Sequence, residues 1–448
     1  MNAADHRSPE ALSAPGWRWA PAWVLAFVAL WPAHGYAEAV LVLGALAGIL
    51  RLLQQRFRGG GALLSQPAWA LTTVLFIAYW LPEVISAVDA VDRGRALREA
   101  AVDLRYLPFL WIVASAVASD AGRRRTFGGL AIIIAVWTLD GLLEAATSTS
   151  PLFWGMDHVK QLISGRGMCT AADVAALDRL SGVLGPCNLK LGLVLASLSP
   201  FALDAAGRRL GRIGWLLAAS LMGLVILLAG ARAAWLTYAL VLLWSGWRLL
   251  GWKRLLGVFA LGAVLLAAAA MLSPPVAERL DRSTAALTGN AEGVDHALSG
   301  RSRIWSAALC MARTHPINGV GARGFRDAFD ACDPEAGEIA AWGTGPALHA
   351  HQIVLEVLSE TGLSGLLLWL GGAAMALRAW RYADLRARER ARPAMLALAV
   401  TVFPFNTHLA VYSTFWGGFV LLLAALYAGS LLNREPVMDS ATPRPAGA

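Results

Sequence analysis

Residues 213–250 read IGWLLAASLMGLVILLAGARAAWLTYALVLLWSGWRLL, an apolar run of nearly forty residues in which Arg232 is the one charge before Arg248 near the end. A membrane-crossing helix needs about 20 mostly apolar residues. The run therefore holds two spans joined at Gly230-Ala231-Arg232. An arginine within a span costs several kcal/mol unless it faces a polar cavity or a partner. A long side chain near a span end can instead snorkel to the interface. Position alone leaves both readings of Arg232 open.

The rest of the chain repeats this pattern. Of its 448 residues 57% are hydrophobic and 15% charged, against about a quarter charged in a soluble domain. The mean hydropathy is +0.55. A core of this length cannot hide so much apolar material, so the excess faces lipid. A cytosolic enzyme with one short anchor is excluded, as is a secreted scaffold. Twelve candidate spans fall near 18–33, 36–53, 67–86, 104–119, 127–146, 183–203, 213–230, 233–250, 255–272, 351–377, 394–411 and 415–432. Residues 87–103, with Asp89, Asp92, Arg93, Arg95, Arg98 and Glu99, read as a charged amphipathic helix at a surface. The predicted fold class is an all-α polytopic membrane protein, a single membrane domain over 1–448 with no internal repeat.

Basic loops mark the cytoplasmic side. Arg51, Arg56 and Arg58 follow span two, Arg123 to Arg125 span four, and Arg208, Arg209 and Arg212 span six. Arg248, Lys253 and Arg254 follow span eight, and Arg378, Arg381, Arg386, Arg388, Arg390 and Arg392 follow span ten. All lie on one side, which places both termini inside. This placement explains most of the net charge of +8 and argues against nucleic-acid binding. The segments 147–182 and 273–350 are then outside, the latter a large, partly helical loop. No cleavable signal pattern opens the chain, and the tail 433–448 reads as a disordered cytoplasmic end. Cys169, Cys187, Cys310 and Cys332 fall in or beside the outer segments. The local pairings 169–187 and 310–332 are allowed in an oxidising compartment, and unpaired core cysteines are equally compatible with the sequence.

Chemistry-bearing residues gather on the outer side. The large loop carries Arg301 and Arg303 in Gly300-Arg301-Ser302-Arg303-Ile304-Trp305. A planar guanidinium binds phosphate oxygens in bidentate fashion, although surface arginines are also common without any ligand. Arg179, Asn188 and Lys190 surround the outer start of span six, with the last two expected just inside the helix. His349-Ala350-His351-Gln352 opens span ten. On a helix, residues two apart face nearly opposite sides, so only one of the two histidines is expected at a site, as a general base near neutral pH. Gly319-Val320-Gly321-Ala322-Arg323-Gly324 fits G-x-G-x-x-G but lacks the strand-then-helix setting a dinucleotide needs. D-x-D, H-E-x-x-H, G-x-S-x-G and the P-loop are absent, and neither a metal nor another cofactor is expected.

These blocks resemble the O-antigen ligase/polymerase family of bacterial envelope glycosyltransferases. His351-Gln352, nine residues, then Gly362-Leu363-Ser364-Gly365 fits the H-[NSQ]-x9-G-x-x-G pattern of its ligases, within an H-x-H-N-x-x-L-E-like block from His349 to Glu356. Gly300 to Trp305 with His315-Pro316 and Gly319-x-Gly321 resembles the family's outer loop. Gly230 to Trp235 resembles its G-S-R-x-x-W segment, with Ala231 in place of Ser, and Arg179 to Asn188 its R-x-S-G…P-N segment. The specific matches cover roughly 180–365.

The resemblance implies a lipid-linked-donor, GT-C-like enzyme of the bacterial inner membrane, multi-pass, with its site on the periplasmic face. It implies metal-independent, inverting transfer of a glycan from undecaprenyl diphosphate to the lipid A–core oligosaccharide. Its essential histidine maps onto His351 and its arginines onto Arg232 and Arg301. Arg179, Asn188, Lys190, Arg303 and His349 are candidates for substrate binding. The same donor serves an O-antigen polymerase, the nearest rival. A protein O-oligosaccharyltransferase would carry more C-terminal sequence. A twelve-span transporter would show two related halves.

Overall fold

The computed structural model describes residues 17–58, 62–175, 177–272, 274–285, 301–335, 347–406 and 410–432. The tail 433–448, and residues 286–300 and 336–346 of the large loop, lie outside the described residues. Among the described residues the chain forms helices and turns, with no strand. In order these are α1 (Ala20–Ala29), α2 (His34–Arg58), α3 (Gln66–Ser86), α4 (Arg93–Asp103), α5 (Tyr106–Ala116), α6 (Asp120–Thr147), α7 (Pro151–Ser164), α8 (Ala171–Ala175), a 3-10 turn (Gly182–Leu184) and α9 (Leu191–Leu228). They continue as α10 (Arg232–Leu250), α11 (Trp252–Leu272), α12 (Pro274–Thr284), α13 (Arg301–Thr314), α14 (Phe325–Cys332), α15 (Ile353–Tyr382), α16 (Leu385–Thr401) and α17 (Thr414–Leu432).

Local chemistry sets many of these boundaries. Side chains of Ser65, Asp92, Ser119 and Asp384 accept the orphan N–H groups that open α3, α4, α6 and α16, as helix starts require. Each of the twelve expected segments is helical over at least part of its length. Among the described residues eight helices are long and apolar enough to cross a membrane. One of them, α9, is two helices broken at Gly211 (φ 61°), and so accounts for expected spans six and seven. α1, α5 and α16 are shorter, so the count of twelve does not follow from helix length alone.

Three boundaries depart from the sequence reading. Span six was expected from residue 183, yet 185–190 is irregular and α9 starts at Leu191, because Gly182 and Gly185 hold left-handed turns. Span eleven was expected over 394–411, whereas α16 runs from Leu385 to Thr401 and the chain leaves it at Phe403-Pro404. Its first half is arginine-rich, which hid it from a hydropathy reading. Span ten begins at Ile353 rather than at 351.

α17 is the bundle's centre: every residue from Trp416 to Leu431 is buried, against α3, α5 and α16. By contrast, only Leu255 of α11 is buried, so that helix faces lipid.

The two ends of the bundle differ. At one, Arg212 Nε donates to Leu249 O (3.0 Å), Arg392 donates to Trp244 O (3.2 Å), and Arg248 pairs with Glu389. The arginine clusters after expected spans six, eight and ten thus meet at the same end. At the other, here called outer, α4 docks on the segment after α13. Arg95 pairs with Asp327 (2.5 Å), Glu99 with Arg323 (2.7 Å), and Val91 N donates to Val320 O (3.0 Å). Cys169–Cys187 and Cys310–Cys332 are both disulfides at this end.

Candidate functional site

α9 ends through Gly230, whose φ of 70° reverses the chain, and Arg232 becomes the first residue of α10. Arg301 is likewise the first residue of α13. Burial, and then the positive charge of Arg232, push the Arg301 guanidinium below its ordinary pKa. The two arginines are thus brought within electrostatic reach at the outer end. Two cations held together in a half-buried setting repel one another, and an anion between them relieves that repulsion. The N–H groups at the starts of α10 and α13 carry the positive ends of two helix dipoles to the same region.

Trp305, one turn into α13, ties this pair to the histidines. Its Nε1 donates to Ala350 O at 3.1 Å, the carbonyl immediately before His351. His351 is not on a helix, contrary to the sequence expectation. It sits at φ 54°, one of few non-glycine residues in the left-handed region, and is 5% exposed. This turn brings the rings of His349 and His351 to 3.9 Å between centroids. The two histidines therefore do not face opposite sides as helical spacing predicts, because helical geometry begins only at Ile353.

Gln352 supplies the helix start. Its Oε1 accepts from Leu355 N (2.6 Å) and its Nε2 donates to Pro404 O (2.8 Å). Gln352 is thus a capping residue, a role that asks for a side-chain acceptor at this position. One turn on, Glu356 accepts from Tyr412 N at 3.3 Å and holds the loop before α17 against the head of α15.

The paired glycines of the motif also have a structural role. Val320 N donates to Ser359 O and Gly321 N to Glu360 O (both 2.9 Å), while Leu363 N donates to Pro316 O (2.9 Å). The segment after α13 thus lies directly on the backbone of α15, where Gly362 (φ 65°) interrupts the helix. A Cβ at Gly362 would collide with Ile317 O, and one at Gly319 with the Glu360 carbonyl. The G-x-G-x-x-G match at 319–324 is part of this contact. Gly362→Ala is expected to cost at least the ~1–2 kcal/mol of a left-handed non-glycine residue. It should lower the thermal midpoint and expose 315–323 to protease; wild-type behaviour in both assays would remove this role from Gly362.

The remaining candidates fare differently. Arg303 is committed to Asp333 through two hydrogen bonds (2.7 and 2.6 Å) and also meets Glu335. The Arg303 hydrogen bond holds Asp333 below the usual carboxylate range. Arg179 pairs with its neighbour Asp178 (2.7 Å). Asn188 and Lys190 precede α9 rather than lying inside it. Among the described residues nothing donates a hydrogen bond to the buried Asn188 Oδ1 atom, and the Lys190 ammonium sits 4.6 Å over the Phe415 ring.

An apolar groove of about 990 Å³ runs between α10, α15 and α16. Leu240, Leu243, Ala376, Leu398 and Phe403 line it. Arg248, Arg388, Glu389 and Arg392 line it as well, so it opens toward the arginine-rich end of the bundle. Among the described residues no three or more His, Cys, Asp or Glu side chains come together as a metal site.

Sequence reasoning overlooked Trp305 as an anchor, and also Asp140 and Glu144, two carboxylates one turn apart in an apolar span. Their signal was present: an acidic i, i+4 pair in AVWTLDGLLEAAT (135–147) calls for buried partners.

The family model described as O-Antigen ligase matches residues 217–370. That segment contains Arg232, Arg301, Arg303, His349, His351, Gly362 and Gly365, and the resemblance read from the sequence holds across it. No curated protein matches the chain.

Proposed function

We propose that this polytopic membrane protein, with its O-antigen ligase segment, transfers O-antigen polysaccharide from undecaprenyl diphosphate to the lipid A–core oligosaccharide at the periplasmic face of the bacterial inner membrane. The observation that supports this reading is that Arg301 lies in the electrostatic field of Arg232 and that Trp305, one turn further along α13, bonds to the carbonyl just before His351 of the His349–His351 pair.

The acceptor hydroxyl oxygen attacks the anomeric carbon of the donor sugar. The new glycosidic bond forms as the bond from that carbon to the diphosphate oxygen breaks on the opposite face, inverting the centre. The hydroxyl proton passes to the His351 imidazole. The charge that develops on the departing diphosphate is stabilised by Arg232 and Arg301. Asn188 Oδ1, buried and open to a donor, suits a sugar hydroxyl. Lys190 adds positive charge at the same end.

A strain lacking the protein tests the reading through its lipopolysaccharide. Loss of all long-chain bands with retained undecaprenyl-linked polymer is expected. Single-repeat cores would instead indicate a polymerase, and an unchanged profile would exclude both. Since no D-x-D or ligand-spaced carboxylate–His cluster occurs and arginines stand in its place, purified protein is expected to transfer glycan in excess EDTA. Activity lost to the chelator and restored by a divalent ion would overturn the arginine mechanism.

A further inference from the structure

Asp140 and Glu144 sit in the outer half of α6, 3% and 7% exposed. A carboxylate there is costly unless it is well partnered, yet neither makes an ion pair among the described residues. Their partners are N–H and O–H groups of the outer segments. Asp140 accepts from Ser150 Oγ (2.7 Å) and Leu152 N (2.9 Å), which fixes the start of α7. Glu144 accepts from Ser181 N (3.2 Å), Ser181 Oγ (3.1 Å) and Gly182 N (2.6 Å). Three donors converging on one carboxylate make a tightly defined turn, stronger than neutral partners would.

That turn leads directly to Arg232. Leu180 N donates to Leu228 O at 3.3 Å, so the residue before the turn is hydrogen-bonded to the last residue of α9. Gly182 packs on Leu191, where a Cβ would lie 2.7 Å from the side chain. Gly192 in turn packs against Ala229 and Ala234, at 3.1 and 3.4 Å from its Cβ position. Residues 180–182, 191–192 and 228–234 therefore form one close-packed unit, with Glu144 at one edge and Arg232 at the other.

We infer that Glu144 is a positioning residue: it fixes the Ser181–Gly182 turn and, through the Leu180–Leu228 contact, the placement of Arg232 toward the donor diphosphate. The catalytic half of this inference rests on the proposed transfer reaction; the structural half does not.

Glu144→Gln keeps the volume but turns an N–H donor toward at least one of the Ser181 and Gly182 donors. Hydrogen exchange in the full-length protein tests the coupling whatever reaction the protein performs. Amides of 180–182 and of 228–234 should exchange faster in the variant, while those of 301–314 do not change. Unchanged exchange at 228–234 would overturn the inference. A double-mutant cycle with Arg232→Lys tests the catalytic meaning, using glycan transfer from undecaprenyl diphosphate as the readout. Because a misplacement of about 1 Å can cost ~10²-fold, Glu144→Gln is expected to lower turnover by about 10–10²-fold in the wild-type background. In the Arg232→Lys background it should cost no more than about threefold, as for residues acting as a unit. Equal losses in both backgrounds would make Glu144 a general support of the outer loop and overturn the inference. Asp140→Asn, which touches α7 and not the turn, should be additive with Arg232→Lys. If Glu144→Gln fails to insert, Ser181→Ala removes only the Ser181 Oγ contact and should show the same non-additive pattern with a smaller loss. Wild-type protein that transfers nothing would count against the proposed reaction, while the exchange experiment still decides the role of Glu144.

Discussion

His351→Ala is expected to reduce glycan transfer by about 10²–10⁴-fold, the usual effect of a lost general base, while the protein stays folded and binds undecaprenyl diphosphate-linked glycan normally. A base that takes its proton in the transition state matters for turnover far more than for donor binding. The backbone gives this prediction its particular form. His351 holds a left-handed φ at a buried position, kept there by the Trp305–Ala350 bond on one side and the Gln352 cap on the other. Replacement by alanine leaves both anchors in place, so the change is confined to the imidazole. His349→Ala should be milder, although its ring contact with His351 means that some turnover is lost. Transfer kinetics beside a donor-binding assay separates the outcomes. A variant that turns over normally, or that fails only to bind donor, would make His351 a binding or structural residue.

Arg232→Lys and Arg301→Lys are each expected to lose most transfer with normal membrane insertion. Lysine keeps the charge but not the planar fork that grips two phosphate oxygens at once. The two arginines already interact without ligand, so both should also weaken donor binding, unlike His351→Ala. Arg303→Ala should behave differently. Its bidentate bond to Asp333 and the nearby Cys310–Cys332 disulfide make it a strut of the outer loop, and the expected loss is one of stability. Wild-type transfer by Arg301→Ala would remove Arg301 from the diphosphate site.

Much of this was legible in the sequence. The apolar segments, their arginine-rich loops and the motif around His351 are local patterns, and the helices and the match over 217–370 follow them. The misread boundaries were also local in cause. Residues 183–190 are apolar enough to pass for helix, but left-handed turns at Gly182 and Gly185 prevent it. The start of α16 is a real helix made of arginines, which hydropathy does not register.

What the sequence by itself determined is the class of the molecule, its arginine-rich end, and the identity of the residues gathered at the opposite end. Only the tertiary structure decided which of them meet. α11 and α17 are both apolar in sequence, yet one faces lipid and the other is the centre of the bundle. Lipid tails and a helix core are equally apolar solvents, so composition cannot tell them apart. Likewise nothing in the spacing of Arg232, Arg301 and His351 says that the first two share a field while Arg303 turns away to Asp333. Those contacts depend on where Gly230, Gly362 and the turn at His351 send the chain, and on buried carboxylates such as Glu144 that hold the loops in place. Proximity between distant segments is a property of packing, and a linear pattern carries it only when the partners of every buried polar group are known.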